Sequence, residues 1–343
     1  MSDGTDVTVD KDGHPAEEAD GQGAESPRHK RRVGRTAVIV VGAILGVVVA
    51  VAVGGYAYLN HVVSSIPRVP VKHLATAKGP GQTFLITSAQ LGPTGATVHE
   101  ASLGDQSNLL MLLHIDADGK HGGAVAIPDD TVVNVPGAGA RPLSYALKKG
   151  GPSLLVQTIS QVTGVPINHY ARIDFSHITS LVNAIGGVDV TIPQASKSFG
   201  YTFKTGVNHL TGVTAIYYAR EPSLSDQDRT LRQANFVRVI LTKIADDHLV
   251  TNPVTTVRVL NSITKALTVD SNMTNSEVES LARNFGRLGG SAGTFVVAPT
   301  HTVNGKLVLS APLAGQLWTA IKGNSIAAFA AQHPTMRTPA SAP

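Results

Sequence analysis

Cysteine is absent from all 343 residues. That excludes thiol catalysis, thiolate metal sites and disulfide staples together. A domain of this size can bury a core without staples, which small domains need most. The thirteen histidines never fall in His-x-x-x-His or His-Glu-x-x-His spacing, so no helix-borne zinc site is encoded. Aromatics make up 5% of the chain, and basic patches interleaved with aromatics, which would point to nucleic acid, do not occur. Long apolar runs are scarce as well, with one exception.

That exception, Thr36–Leu59, carries no charged residue in its 24 positions. As a helix it would be about 36 Å long, enough to cross a hydrocarbon core roughly 30 Å thick. Arg28, Lys30, Arg31, Arg32 and Arg35 stand directly before it. The positive-inside rule therefore predicts a cytoplasmic N-terminus and export of everything after Leu59. The length of the apolar core and the polar leader before it favour an uncleaved anchor over a signal peptide. Residues 1–27 hold eight acidic residues against Lys11 alone and few apolar ones, a composition that cannot fold. Without residues 1–59 there remain 22 Lys and Arg against 16 Asp and Glu. That modest positive excess suits an anionic partner without naming one.

The organisation expected from these patterns is a disordered tail (1–35), a transmembrane helix (36–59), a linker (60–81), an exported domain (82–325) and a disordered end (326–343). Pro67, Pro70 and Gly79-Pro80-Gly81 mark the linker. Short apolar runs predict strands at Thr83–Thr87, Leu109–Ile115, Gly123–Ile127, Asn168–Ile173, Val188–Ile192, Phe295–Ala298 and Lys306–Leu309. Helical spacing occupies Pro152–Thr163, Phe175–Ile185, Thr211–Tyr218, Asp226–Asp246, Pro253–Leu267, Ser276–Arg287 and Pro312–Ile321. This mixture predicts an α/β domain in α-β-α layers, a central mixed sheet flanked by helices. Asn304-Gly305 between two runs signals a hairpin.

The helix from Asp226 carries the sharpest chemical signal. Phe236, Val237, Ile240 and Ile244 share one face at 100° per residue, and that face continues back through Gln233, Arg229 and Asp226, with Arg232 on its flank. Inward guanidinium groups need partners, because unpaired buried charge is costly. Two readings fit. Arginine forks and a helix start are matched to phosphate oxygens; alternatively Asp226 caps the helix and pairs with Arg229, leaving Arg232 in solvent. Arg220 closes a separate apolar segment, TAIYYAR.

Three stretches resemble the LytR-CpsA-Psr family of envelope proteins. Gly150–Pro193, GGPSLLVQTISQVTGVPINHYARIDFSHITSLVNAIGGVDVTIP, is similar to the family's GGp…tGi.idHYv.vdf.gF..lVdaiGGVdV..p; Leu210–Arg220 is similar to LdG.qALaYvR; and DQDRTLRQ from Asp226 to Gln233 is similar to D.gR..RQ. The resemblance implies a pocket for a polyprenyl tail and a pyrophosphate site. It implies transfer of a glycopolymer from a polyprenyl-pyrophosphate carrier to peptidoglycan, aided by Mg²⁺ on aspartates. By position, Arg220, Arg229, Arg232 and Gln233 would hold the head group, with Asp226 and Asp130 as base or support. The partners implied are the polyprenyl lipid, peptidoglycan or wall glycopolymer, the membrane and other proteins of the family; nucleic acid is not among them.

Other positions depart from the pattern. Ala89 and Asn108 stand where the family has its metal-ligating aspartates, Leu91, Gln106 and Asp129 where it has arginines, and Pro222 where it has the second arginine of Y.R.R. A hard cation wants anionic oxygens; Ala89 offers none and Asn108 a neutral carbonyl. Asp129 and its neighbour Asp130 would face opposite ways if that segment were extended. The expectation is a relative with impaired or lost transferase activity that binds and modulates. Mg²⁺ enters only on the alternative of a working enzyme with altered metal use. A transcriptional role fits poorly with so short and acidic a cytoplasmic leader.

Overall fold

A computed structural model describes residues 54–55, 57–76, 81–88, 109–221, 223–246, 253–281, 293–339 and 341. The chain divides into two compact units at residues 56 and 57, and the fold described here is that of the second. No helix among the described residues is long and apolar enough to cross a membrane; the run 36–59 lies mostly outside them.

Among the described residues, fifteen strands and seven named α-helices follow in chain order. The strands are β1 (Arg68–Val69), β2 (Gln82–Ser88), β3 (Leu110–Ile115), β4 (Gly122–Ala126), β5 (Val132–Val135), β6 (Gly139–Pro142), β7 (His169–Ile173), β8 (Val188–Ile192), β9 (Ser196–Ser198), β10 (Tyr201–Phe203), β11 (Gly206–Leu210), β12 (Leu267–Asp270), β13 (Gly293–Val297), β14 (Thr300–Val303) and β15 (Lys306–Leu309). The helices are α1 (Leu143–Thr163), α2 (Phe175–Ala184), α3 (Gly212–Ala219), α4 (Asp226–Asp246), α5 (Pro253–Ala266), α6 (Ala311–Lys322) and α7 (Ile326–Gln332).

A seven-stranded mixed sheet in the order β1-β12-β7-β2-β3-β4-β13 forms the middle layer. Its side chains alternate between two cores, as the period of two requires. Phe84, Ile86, Met111, Leu113, Ala124 and Ala126 face one side, where they join residues of α2, α3, α4 and α5. Leu85, Leu110, Leu112 and Val125 face the other, against α1, α6 and α7. The expected three-layer arrangement is therefore present, with helices on both faces. Asn304 (φ 49°) and Gly305 (φ 72°) turn the β14–β15 hairpin, the left-handed pair that a two-residue turn needs.

Three boundaries differ from expectation. Residues 57–76 are part of the folded unit rather than a linker: 57–64 are helical, Val62, Val63, Ile66 and Val71 are buried, and β1 pairs with β12. The reason is compositional, since Val and Ile recur through the segment and Pro67 and Pro70 flank a two-residue edge strand, where proline is tolerated. The end from 326 is likewise ordered through the described residues. α7 buries Ile326, Phe329 and Ala330, and Thr338 N–H donates to Phe295 O at 2.9 Å beside β13. The first long helix starts at Leu143, not Pro152; it breaks at Gly151 (φ 62°), and Pro152 then occupies the first turn of the second segment.

Candidate functional site

The strand directions gather the loops that matter. β2, β7, β4 and β13 run parallel to one another, with β3 and β12 opposed. The C-terminal ends of β2, β4 and β7 therefore lie along one end of the sheet, the end where ligands bind in open α/β sheets. Ser88 and Leu109 meet at this end: Ser88 N–H donates to Leu109 O at 3.0 Å, and Leu109 N–H to Ser88 Oγ at 2.9 Å. Ala89, Leu91, Gln106 and Asn108 themselves lie outside the described residues. At the end of β4, Asp129 and Asp130 form a turn rather than a strand; Asp129 is buried and Asp130 exposed. The opposition of the two acids thus holds, by turn geometry instead of strand parity.

β7 ends at the same place and leads through Asp174 into α2. That helix runs antiparallel to α3, tied at the far end by Gly212 N–H donating to Asn183 Oδ1 at 2.8 Å. The last residues of α3 consequently return to the sheet end, where Arg220 follows its last turn and Arg220 N–H donates to Ile216 O at 3.0 Å. Burial pulls the Arg220 guanidinium below its ordinary pKa, and the charge of Asp174 opposes that shift. Arginine stays charged regardless. Asp174 was not among the sequence candidates; its place at the end of a strand that meets the arginine was the available signal.

α4 begins beside this turn. Its cap is Ser225, not Asp226: Ser225 Oγ accepts from Asp228 N–H at 3.1 Å and donates to Asp228 Oδ2 at 2.7 Å. Serine at N-cap and an acid three residues on form a standard helix start. The side chain of Asp226 lies outside the described residues. Arg229 and Gln233 are buried as the stripe predicts, at 6% and 2% exposure. Arg229 Nη1 donates to Leu224 O at 3.4 Å.

Arg232 sits where neither reading put it. It is wholly buried, with Nη2 donating to Ser196 Oγ at 3.1 Å and Nη1 to Tyr218 O at 3.5 Å. Gln233 Nε2 donates to Ala219 O at 3.4 Å. The last carbonyls of a helix lack partners within it, so Arg232 and Gln233 finish α3 from outside. The Arg232 guanidinium also lies 4.9 Å from the Tyr218 ring centre and 5.9 Å from that of Phe203. Its counter-ion is Glu221, 3.7 Å away and equally buried. Burial lowers the Arg232 pKa against the opposing charges of Tyr218, Glu221 and Asp228. Arg232 is therefore a clasp between α3, α4 and the β9–β10 hairpin; Arg220, Arg229 and Gln233 are buried on the same two helices and the turn that joins them.

Among the described residues no three His, Asp or Glu side chains converge as a metal cluster. By donor chemistry the positions implied for Mg²⁺ do not fit a hard cation, since Ala89 has no ligand atom and Asn108 a neutral one. Two spacings resemble serine-hydrolase motifs. Ser262-Ile-Thr-Lys265 lies inside α5, where Ser262 Oγ donates to Arg258 O at 2.9 Å. Gly289-Gly-Ser-Ala-Gly293 lies, but for Gly293, outside the described residues. A groove of about 790 Å³ lies between α6 and α7, lined by Gln316, Thr319, Phe329 and His333 among others and by none of the arginines.

Comparison with known proteins converges on one family. The model of the LytR_cpsA_psr family matches residues 94–312. A probable cell wall biosynthesis protein, LcpB of Corynebacterium glutamicum, is 26% identical over 68% of this chain; the match spans 56% of that protein, little more than half its length. The polyisoprenyl-teichoic acid–peptidoglycan teichoic acid transferase TagU of Bacillus cereus is 27% identical over 71% of this chain and 82% of its own. Among solved structures, a LytR-Csp2A-Psr enzyme from Actinomyces oris superposes with a TM-score of 0.61 at 18% identity, covering 75% of this chain and 96% of that one.

Proposed function

The chain belongs to the LytR_cpsA_psr family, and from that premise we propose that it binds polyprenyl-(pyro)phosphate-linked cell-wall glycopolymers outside the membrane, with impaired or lost phosphotransferase activity. One observation supports this reading: two arginines, Arg220 and Arg229, are buried where α3 ends and α4 begins, in the fold of a family whose named members include a teichoic acid transferase. Guanidinium forks beside the start of α4 are matched to phosphate oxygens.

Loss of catalysis is supported by the donor set. Ala89 and Asn108 replace acids, and Asp129 places a carboxylate where the family pattern has arginine. A second reading, a working transferase with altered metal use and Asp130 or Asp226 as base, draws support from the retention of Arg220, Arg229 and Gln233, since preorganised donors alone stabilise developing phosphate charge. The family's older label of transcriptional attenuator has no support in the residues.

The test is binding and turnover of a polyprenyl pyrophosphate by the full-length protein in detergent, with Mg²⁺, beside Bacillus cereus TagU. The expected result is binding with little or no release of phosphate. Turnover matching TagU would replace the first reading with the second. Arg229→Ala is expected to weaken binding at least tenfold, in line with loss of a charge-assisted bond; unchanged affinity would make the arginine face structural.

The location follows the same proposal: a single-pass anchor at 36–59, N-terminus cytoplasmic, domain outside. The lack of cysteine makes this simple to check. A cysteine introduced before residue 28 is expected to react with an impermeant maleimide only after lysis, and one introduced on the exposed β14–β15 hairpin in intact cells. The reverse pattern would overturn the topology.

A further inference from the structure

Glu221 follows Arg220 directly and is fully buried. Its Oε1 accepts from Ser223 Oγ at 2.8 Å, and its Oε2 lies 3.7 Å from Arg232 Nη1. Arg232 is held on its other sides by Ser196 Oγ, the Tyr218 carbonyl and the faces of Tyr218 and Phe203. A buried carboxylate thus pairs with Arg232 and directly follows buried Arg220 in sequence, while Arg229 lies one turn before Arg232 on α4. Nothing in a purely packing role requires the charge: replacing a buried ion pair by apolar groups of similar size is often neutral or stabilising. What the charge does achieve is electrostatic. It offsets the charge of Arg232, as Asp174 opposes that of Arg220, at a position adjacent in sequence to Arg220.

We propose that Glu221 is a resident counter-anion that holds Arg232 in the interior and lowers the affinity of the Arg220–Arg229 site for phosphoanions. It is a specificity-determining residue acting through charge, not a group that touches the ligand. The inference rests on the phosphate-binding reading given above. Its consequence is a site that holds a pyrophosphate head loosely enough to exchange it, rather than one that retains it with the added charge of an unneutralised Arg232.

Calorimetric titration of the full-length protein in detergent with inorganic pyrophosphate and with farnesyl pyrophosphate tests it, alongside thermal melting. Glu221→Gln keeps the shape and the bond to Ser223 while removing the charge. It is expected to bind both probes roughly tenfold tighter at low salt, because charges interact strongly in a poorly hydrated site, with the gain shrinking as salt rises. A merely structural glutamate would lower the melting temperature and leave affinity unchanged or weaker, and that result overturns the proposal. Should the single variant not fold, Glu221→Leu with Arg232→Met removes both charges together. Affinity within about twofold of the parent is then expected, since a paired charge contributes little at a distance. A tenfold loss would show that Arg232 reaches the ligand and would overturn the assignment. Failure of the parent protein to bind either probe is a different result, which removes the phosphate reading itself and this inference with it.

Discussion

The two sides of the central sheet are built on different terms. Against α1, α6 and α7 the buried core is aliphatic and aromatic, with Leu85, Leu112, Val125, Leu317, Trp318 and Phe329 at the centre, and buried polar groups beside it, Thr87, Thr158 and Thr163, are neutral hydroxyls. Against α2 to α5 an equally apolar floor of Phe84, Ile86, Met111 and Leu113 shares its helices with Arg220, Glu221, Arg229, Arg232 and Gln233, all under a tenth exposed. Hydrophobic burial is close to additive and forgiving of shape-preserving change. Buried charge is conditional, stabilising only while each partner is present. One side therefore supplies stability, and the other spends part of it on a polar cluster whose justification is chemical.

The widest separation between the two sides is expected from single removals. Arg232→Ala leaves Glu221 buried without its counter-ion, and breaking a buried pair in this way costs about 3–5 kcal/mol. Urea unfolding of the full-length protein checks it; a loss below about 1 kcal/mol, the scale of a surface pair, would mean that the clasp is hydrated and the comparison false. On the opposite side, Leu317→Ala removes a fully buried side chain and is expected to cost about 2–5 kcal/mol from lost burial and the cavity left behind. It should leave pyrophosphate affinity unaltered, since α6 contributes nothing to the arginine cluster. If Leu317→Ala weakens pyrophosphate binding while the protein remains folded, the sides are coupled and the division fails.

A third contrast concerns pH and the sheet that separates the layers. Asp270, at the end of β12, accepts from His169 Nδ1 at 3.2 Å, Tyr170 N–H at 3.0 Å and Asn272 N–H at 2.9 Å. Burial alone would raise its pKa, but those hydrogen bonds, with the His169 charge, hold it below the ordinary carboxylate value. A carboxylate with a depressed folded pKa contributes stability in full above its unfolded value, near 4. That contribution is lost as pH falls further toward the folded value. Asp270→Asn should therefore flatten the acid limb of stability below about pH 4, as followed by melting temperature. An acid limb identical in parent and variant would assign the pH response elsewhere.

How far the sequence reveals these features depends on the range of the interaction that makes them. Strands β2, β3, β4 and β7, both helical layers and the Asn304-Gly305 hairpin are written in local periodicity and turn chemistry, so they were legible. The inward stripe of Arg229 and Gln233 was legible for the same reason. Arg232 was not, because its partners Ser196, Tyr218 and Glu221 come from three other elements and only the packed fold brings them together. Glu221 and Asp174 are illegible on similar grounds: a lone acid in a sequence says nothing of its burial or of the arginine that the fold brings to it. The ordering of 57–76 and of α7 was hidden by prolines that read as linker punctuation, although Val62, Ile66 and Phe329 carried the opposite signal.

The smallest effect separates geometry from charge within the arginine side itself. Ser225 fixes where α4 starts, and Arg229 N–H donates to its carbonyl at 2.9 Å, so the cap sets the register of the turn that presents Arg229. Ser225→Ala deletes the side-chain acceptor for Asp228 N–H and is expected to cost about 1 kcal/mol, whereas Ser225→Gly should cost only a few tenths because glycine suits the N-cap backbone. If the cap matters to binding only by holding that turn, affinity for pyrophosphate should follow the same order, weaker in the alanine variant and nearly parental in the glycine one. Both variants leave every charge of the cluster in place. Equal loss of affinity in both would therefore point to the hydroxyl itself as a ligand contact, and the head of α4 would belong to the binding surface rather than to its scaffold.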